Sequence, residues 1–317
     1  MSTTTNNTIR PSALLLVGNG FDRALGYQTG YKDFLSSDYF QDEMSTSNEL
    51  CKALWDHKQY ELWVDLENGL YEYSKNLIPR LGDAATAEMF KNDFLKLREA
   101  LFNYLVSIQG EAPRLDTIEE VENRERVQNL LLLWNKMTPQ IVSFNYTILL
   151  QGVSIIGGFD QHKVIFPHGS IYNDKDDKDT KTNTSNEIVF GIDDCQKVNP
   201  LHGFLYKSLQ YYSEDIERFK RCIDNSDIYI VFGCSMGDSD ATYFKRMFDK
   251  EKTGKHYLIY GYGKDGIETI EKNISKYIND MDAFRNANKM DLLDCSTDDC
   301  LIKTKDFIEK TSDIDGF

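Results

Sequence analysis

The sequence predicts an α/β fold built on a mainly parallel sheet, and three observations carry that prediction. Short apolar runs at residues 13–18, 139–144, 163–167, 187–191, 227–233 and 256–261, several rich in Val and Ile, end in Gly, Asn, Pro or Asp, as buried strands do. After residue 200 such runs alternate with helical spacing, which implies right-handed crossovers between parallel strands. Between the first and second runs lies a long stretch, about 31–136, with helical spacing and almost no strand candidate.

Taken in order, Leu14-Leu15-Leu16-Val17 reads as a strand buried on both faces, broken by Gly18-Asn19-Gly20-Phe21-Asp22-Arg23. Glycines at such a break let backbone N–H groups crowd around an anion, and a following helix would add its positive dipole end. Arg23 stands where the dinucleotide fingerprint has its third glycine, so a plain strand-to-helix turn is the competing reading. The helical stretch then carries two stripes, one of Phe90, Phe94, Leu97, Leu101, Tyr104, Leu105 and Ile108, the other of Val127, Leu130, Leu131 and Trp134. We read about 35–136 as a helical insertion packed on the sheet of a single domain, placed to form a lid. Beyond residue 200, helices are expected at 204–222, 243–248 and 267–281, with strands at 228–232 and 257–260. Residues 173–186, almost wholly polar, read as a solvated loop close to His168, and 291–300 is acidic and unassigned.

In a doubly wound sheet the ligand lies beyond the carboxyl ends of the strands. Besides the first turn, three strand ends here carry polar residues: Phe144-Asn145-Tyr146-Thr147, Pro167-His168-Gly169-Ser170, and Gly233-Cys234-Ser235 with Gly237-Asp238-Ser239-Asp240. Singly, each has a plain reading: Asn145, Asp238 and Asp240 as helix caps, His168 as a loop histidine held by backbone. Jointly they converge on one edge, which points to a nucleotide-type site. Trp63 and Glu67 share one face of a helix, with Asp65 turned away, and Glu67 either reaches the site or belongs to an ordinary amphipathic helix. His202-Gly203 repeats the His168-Gly169 pair without a preceding strand and is set aside.

Composition narrows the function. Lys plus Arg number 36 against 51 Asp plus Glu, a net charge of −15, which argues against general nucleic-acid binding. No apolar run approaches the roughly 20 residues that cross a bilayer. The first residues are polar and uncharged, unlike a secretory signal, and the six cysteines form no C-x-x-C pair, so a reduced cytoplasmic protein is expected. The five scattered histidines offer no metal-ligand spacing, and no metal or other cofactor is required.

The chain resembles the AbiH family of bacterial abortive-infection proteins. The resemblance rests on Gly18-Asn19-Gly20-Phe21-Asp22 with Gly26, Tyr31-Lys32-Asp33-Phe34, Trp63-x-Asp65-x-Glu67, Phe144-Asn145-Tyr146-Thr147 and His168-Gly169. It continues through Phe190-Gly191-Ile192-Asp193, Phe232-Gly233-Cys234-Ser235 and Asp240-x-x-Tyr243-Phe244. Cys234 stands where that family usually has a histidine. The resemblance implies phage defence by arrest or death of the infected cell. More distantly the order of loops is similar to sirtuin-like domains that hydrolyse NAD: Asn145 and His168 match that pattern, as does Gly233-x-Ser235, whereas Thr147 replaces its usual Asp.

This combined reading implies a Rossmann-like, metal-independent hydrolase cleaving NAD, or a related nucleotide, at the nicotinamide–ribose bond. Asn145 would position water, His168 would accept its proton, and Asp22 or Glu67 would stabilise the cationic sugar. Gly18, Asn19, Gly20, Gly233, Ser235, Asp238 and Asp240 would hold the nucleotide. The alternative is a sensor that binds the nucleotide intact. A second copy of the chain or another defence protein is the expected macromolecular partner, with no membrane contact.

Overall fold

The structure is a computed structural model describing residues 11–58, 66–77, 84–150, 164–171, 188–210 and 214–312. Trp63, Asp65 and the polar stretch 173–186 therefore lie outside the described residues. Five strands, β1 (Ala13–Val17), β2 (Gln140–Ser143), β3 (Ile228–Phe232), β4 (His256–Gly261) and β5 (Lys289–Asp294), form an all-parallel sheet in the order β2-β1-β3-β4-β5. The α/β, Rossmann-like class expected from the sequence is what the chain adopts.

Each strand side chain goes to the face its parity dictates. Leu15, Val17, Ile230, Phe232, Leu258 and Tyr260 pack on one side, and Leu14, Leu16, Tyr229, Val231, Tyr257 and Ile259 on the other. Burial on both faces explains why β1 and β3 read as unbroken apolar runs. The helices α1 (Asn19–Ala24), α2 (Tyr31–Leu35), α3 (Asp38–Ser45), α4 (Glu49–Lys58), α5 (Leu66–Leu77), α6 (Ala84–Gly110) and α7 (Ile118–Asn135) fill the described chain between β1 and β2. After residue 200 come α8 (Lys207–Gln210), α9 (Glu214–Asn225), α10 (Ala241–Met247), α11 (Gly263–Ile274), α12 (Met281–Ala287) and α13 (Asp299–Ser312).

The two helical stripes separate. The α6 stripe joins Phe34, Phe40, Leu50, Leu70, Phe190 and Leu205 in a core of its own beside the sheet. Val127, Leu130, Leu131 and Trp134 of α7 instead pack directly on β1, β3 and β4, so α7 is a layer of the sheet domain. Periodicity marks a buried face but not the surface that buries it.

Three expectations change. Residues 164–167 make only an isolated bridge, Ile165 to Val142, extending the sheet past β2 until Pro167, which has no N–H to continue the ladder. Around 188–191 a single bridge, Ile188 to Gly169, replaces the expected strand. The Gln210 side chain takes the Phe190 peptide, accepting its N–H at 3.2 Å and donating to its carbonyl at 2.6 Å. The expected helix at 204–222 is broken: a 3-10 turn (Pro200–Leu205) and α8 precede α9, because extended Tyr206 bridges to Ile192. Likewise α11 stops at Ile274, before the expected 281. The acidic segment assigned to nothing supplies β5, an edge strand where Lys289 and Asp291 alternate with apolar residues.

The turns after β1 and β3 touch along a glycine seam. Gly18 N donates to Phe232 O and Gly20 N to Gly233 O, both at 2.9 Å. A Cβ on Gly20 would lie 2.6 Å from Gly233 Cα, and one on Gly233, whose φ is +69°, would lie 2.5 Å from Phe21 N. Gly233→Ala should therefore lower stability by about 3 kcal/mol or more in urea unfolding, because the methyl meets backbone that cannot swing aside. Gly254→Ala, at a φ of +71° with open space around it, should cost only about 1 kcal/mol.

Candidate functional site

A cleft of about 500 Å³ opens above the carboxyl ends of β1, β2 and β3. Its walls bring together Gly18, Asn19, Gly20, Asp22, Glu67, Asn145, His168, Gly233, Ser235 and Asp240. Asp238 does not join them: it is exposed and pairs with Lys276 at 3.1 Å, while its neighbours Gly237 and Ser239 line the cleft. Register explains the gathering, since Val17 stands opposite both Ser143 and Phe232, so the chain leaves all three strands at one level.

The glycine turn differs from the anion cradle expected. The Gly18 and Gly20 amides are engaged by β3 and its turn, and Phe21 N donates to Gly18 O at 2.9 Å. These N–H groups are consequently not free to hold a pyrophosphate; the glycines serve the seam. Asn19 turns its Oδ1 to the Thr29 hydroxyl, at 2.5 Å, which fixes the residues entering α2.

Asp22 is 1 % exposed and sits beneath the cleft. Asn145 Nδ2 donates to its Oδ1 at 2.8 Å, and the Thr147 hydroxyl donates to its Oδ2. Asn145 thus addresses a carboxyl group instead of capping a helix. Burial pushes the Asp22 pKa up to about 7, with the Thr147 and Asn145 hydrogen bonds holding it from going higher. A carboxyl group half-ionised near neutral pH is suited to passing protons.

The opposite wall holds a chain of buried charges. Lys207 Nζ lies 2.9 Å from Glu67 Oε2 and 3.0 Å from Asp240 Oδ1, and donates to Ser239 O at 3.0 Å. Gly191 N also donates to Glu67, at 3.3 Å. Burial alone would neutralise this set, disfavouring the charged form of every member. Mutual attraction wins: the neighbouring carboxylates hold Lys207 well above its ordinary value, and Lys207 with His168 holds Asp240 well below its own. Glu67, assigned to the sugar cation as one option, has its charge matched by Lys207.

His168 stacks on Phe144 with ring centroids 4.7 Å apart. Its Nε2 lies 2.9 Å from Asp240 Oδ1, an ion-pair distance, but the geometry is not that of an aligned hydrogen bond, and Nε2 is buried without one. Burial lowers the His168 pKa and Lys207 adds to the lowering, outweighing Asp240 and the Phe144 backbone, so the imidazole is neutral at pH 7. Asp240 occupies the cap position of α10 yet makes no side-chain capping bond, its carboxylate facing Lys207 and His168 instead. Cys234 lines the cleft as a thiol, since burial pushes its pKa far up, and it is no nucleophile.

Residues 14–262 match the family described as bacteriophage abortive infection AbiH. The chain belongs to that family. The AbiH match runs from β1 through β4 and spans the whole cleft, leaving α11, α12, β5 and α13 outside. Membership associates the chain with abortive infection of phage-infected bacteria. No curated protein matches the chain. Among the described residues no helix is long and apolar enough to cross a membrane, and no group of three His, Cys, Asp or Glu is placed to hold a metal ion.

Sequence reasoning missed Lys207, which follows a broken helical segment and belongs to no motif; only its burial between two acids marks it. The Phe190-Gly191-Ile192-Asp193 motif proves to be a fastening: Asp193 accepts from the Thr242 N–H and hydroxyl, both at 2.9 Å, and ties this segment to α10.

Two measurements check these electrostatics. Lys207→Met, which strands Glu67 and Asp240, should cost about 3–5 kcal/mol in urea unfolding. Asp22 has a folded pKa above its unfolded one, so its burden is absent below about pH 4 and grows as pH rises towards 7. Asp22→Asn should therefore gain about 2 kcal/mol relative to the parent between pH 5 and pH 8.

Proposed function

We propose that this AbiH protein is a nucleotide hydrolase of phage defence that cleaves the nicotinamide–ribose bond of NAD or a related nucleotide. The observation that carries the reading is Asp22: a buried carboxyl group beneath a strand-end cleft, held by Asn145 and Thr147, with a pKa pushed up to about 7. Thr147 stands where the sirtuin-like pattern has an Asp, and the carboxyl group bonded to its hydroxyl comes from the β1 turn. The carboxylate chemistry of such a pattern is thus available from another strand end.

Cleavage of an N-glycosidic bond passes through an oxocarbenium-like sugar. The C1′–N bond breaks with its electron pair leaving on the nicotinamide ring, which departs neutral. A water oxygen bonds to C1′, and its proton passes to a base. Ionised Asp22 is better matched to that proton at neutral pH than His168, whose pKa lies lower. Its negative charge also stabilises the sugar cation before the proton arrives. The role of Asn145 shifts with this assignment, from positioning water to orienting Asp22. His168, stacked on Phe144 and backed by Asp240 and Lys207, forms the wall against which the ribose sits. No metal or other cofactor takes part.

A second reading has its own support. The misaligned, buried Nε2 of His168 and the threonine at 147 suit a sensor that binds nucleotide intact and drives assembly with a defence partner or a second copy. Calorimetry separates the readings, because a sensor returns its ligand unchanged.

Incubating the protein with NAD, NADP, ATP and GTP, with products resolved by chromatography, should show nicotinamide released from NAD. Asp22→Asn should slow release by about 100-fold or more, and His168→Ala, which removes the wall for the ribose and leaves the base, should slow it by about tenfold. The rate should rise with pH through a midpoint near 7, following ionisation of Asp22. Intact nucleotides in every reaction, with or without phage lysate, would refute the hydrolase.

A further inference from the structure

Beside the first cleft lies a second of about 520 Å³, above the ends of β3 and β4 and against α7. The two share Gly20, Arg23 and Gly233, so the glycine seam forms a low ridge between them and exposed Arg23 overlooks both. The seam joins the turns of β1 and β3. Those are the strands between which the order β2-β1-β3-β4-β5 reverses direction, where an open α/β sheet has its crevice.

The second cleft has its own chemistry. Val127, Leu130 and Phe232 give it an apolar floor, and Tyr260 and Tyr262 give it aromatic walls. Its far rim is polar: Asn123 Nδ2 donates to the Tyr262 hydroxyl at 2.9 Å, and that hydroxyl donates to Glu119. Arg126 is already matched, to Asp298 at 3.0 Å, Asn123 Oδ1 at 2.7 Å and Cys295 O at 3.1 Å, and it stiffens the rim. Glu119 and Glu120 would repel phosphate from this end, whereas Arg23 attracts it to the ridge. A carboxylate rim suits sugar hydroxyls, and an apolar floor with aromatic walls suits a planar base.

We propose that the second cleft is a nucleoside site continuous with the first, so that the ligand is a dinucleotide whose pyrophosphate crosses the Gly20–Gly233 ridge beside Arg23. One nucleoside half occupies the first cleft, and the other places its base over Val127 and Leu130 and its ribose hydroxyls toward Glu119. The inference rests on the first cleft being a nucleotide site, but not on whether that site hydrolyses or only senses. It makes a dinucleotide the preferred ligand over a mononucleotide, which fills one cleft alone.

Calorimetry on the full chain with NAD and with nicotinamide mononucleotide tests this. Tyr262 is 49 % exposed and Asn123 is only part-buried, so Tyr262→Ala and Asn123→Ala leave the core intact, which urea unfolding verifies. NAD should bind the parent at least about tenfold more tightly than the mononucleotide, and each variant should weaken NAD by about tenfold with the mononucleotide unchanged. Equal affinity for the two ligands, or NAD binding unmoved by both variants, would overturn the second site while leaving the first standing. Failure of the parent to bind either ligand would overturn both.

Discussion

The site depends on one steric constraint, the contact between two strand-end turns that leaves no room for a Cβ. Strands β1 and β3 run side by side, and their turns leave the sheet at the same level. Gly18, Gly20 and Gly233 let those turns hydrogen-bond across the gap instead of splaying apart. That seam sets where α1 begins, and α1 carries Asp22 under the cleft and Arg23 to its rim. A side chain at the seam would shift Asp22 relative to Asn145 and Thr147, which come from β2. The carboxyl group's environment is thus a consequence of backbone packing.

The second organising feature is the charge chain on the facing wall. Glu67 comes from the helical layer, Lys207 from the segment after the 3-10 turn and Asp240 from the start of α10. Buried charges gain only when their geometry is good, and this set closes with two acids around one ammonium, with His168 at one end. Its effect is to clamp the helical layer to the sheet beside the cleft.

Much of the fold was legible because both-face burial leaves an unmistakable mark: β1 and β3 are apolar throughout, β4 is apolar after His256, and each ends at a glycine. β5 escaped notice because an edge strand tolerates Lys289 and Asp291 on its open side. Segments 164–167 and 188–191 looked like strands because they are apolar and bounded by turns, but their peptide groups find partners in β2, in His168 and in the Gln210 side chain. Asn145, His168 and Asp240 were found by position at strand ends. Asp238 was grouped with them by proximity in sequence, and a 3-10 turn carries it outward to Lys276.

The sequence by itself determined the class of fold, the edge of the sheet on which the cleft opens and most of the residues that line it, because strand parity and turn glycines act locally. Only the tertiary structure decided what those residues do to one another. That the glycine amides are engaged, that Thr147 and Asn145 serve Asp22, and that Lys207 neutralises Glu67 and Asp240 are all facts of long-range contact. Proton affinity in a buried group is set by desolvation and by charges from distant parts of the chain, and neither quantity exists until the chain has folded.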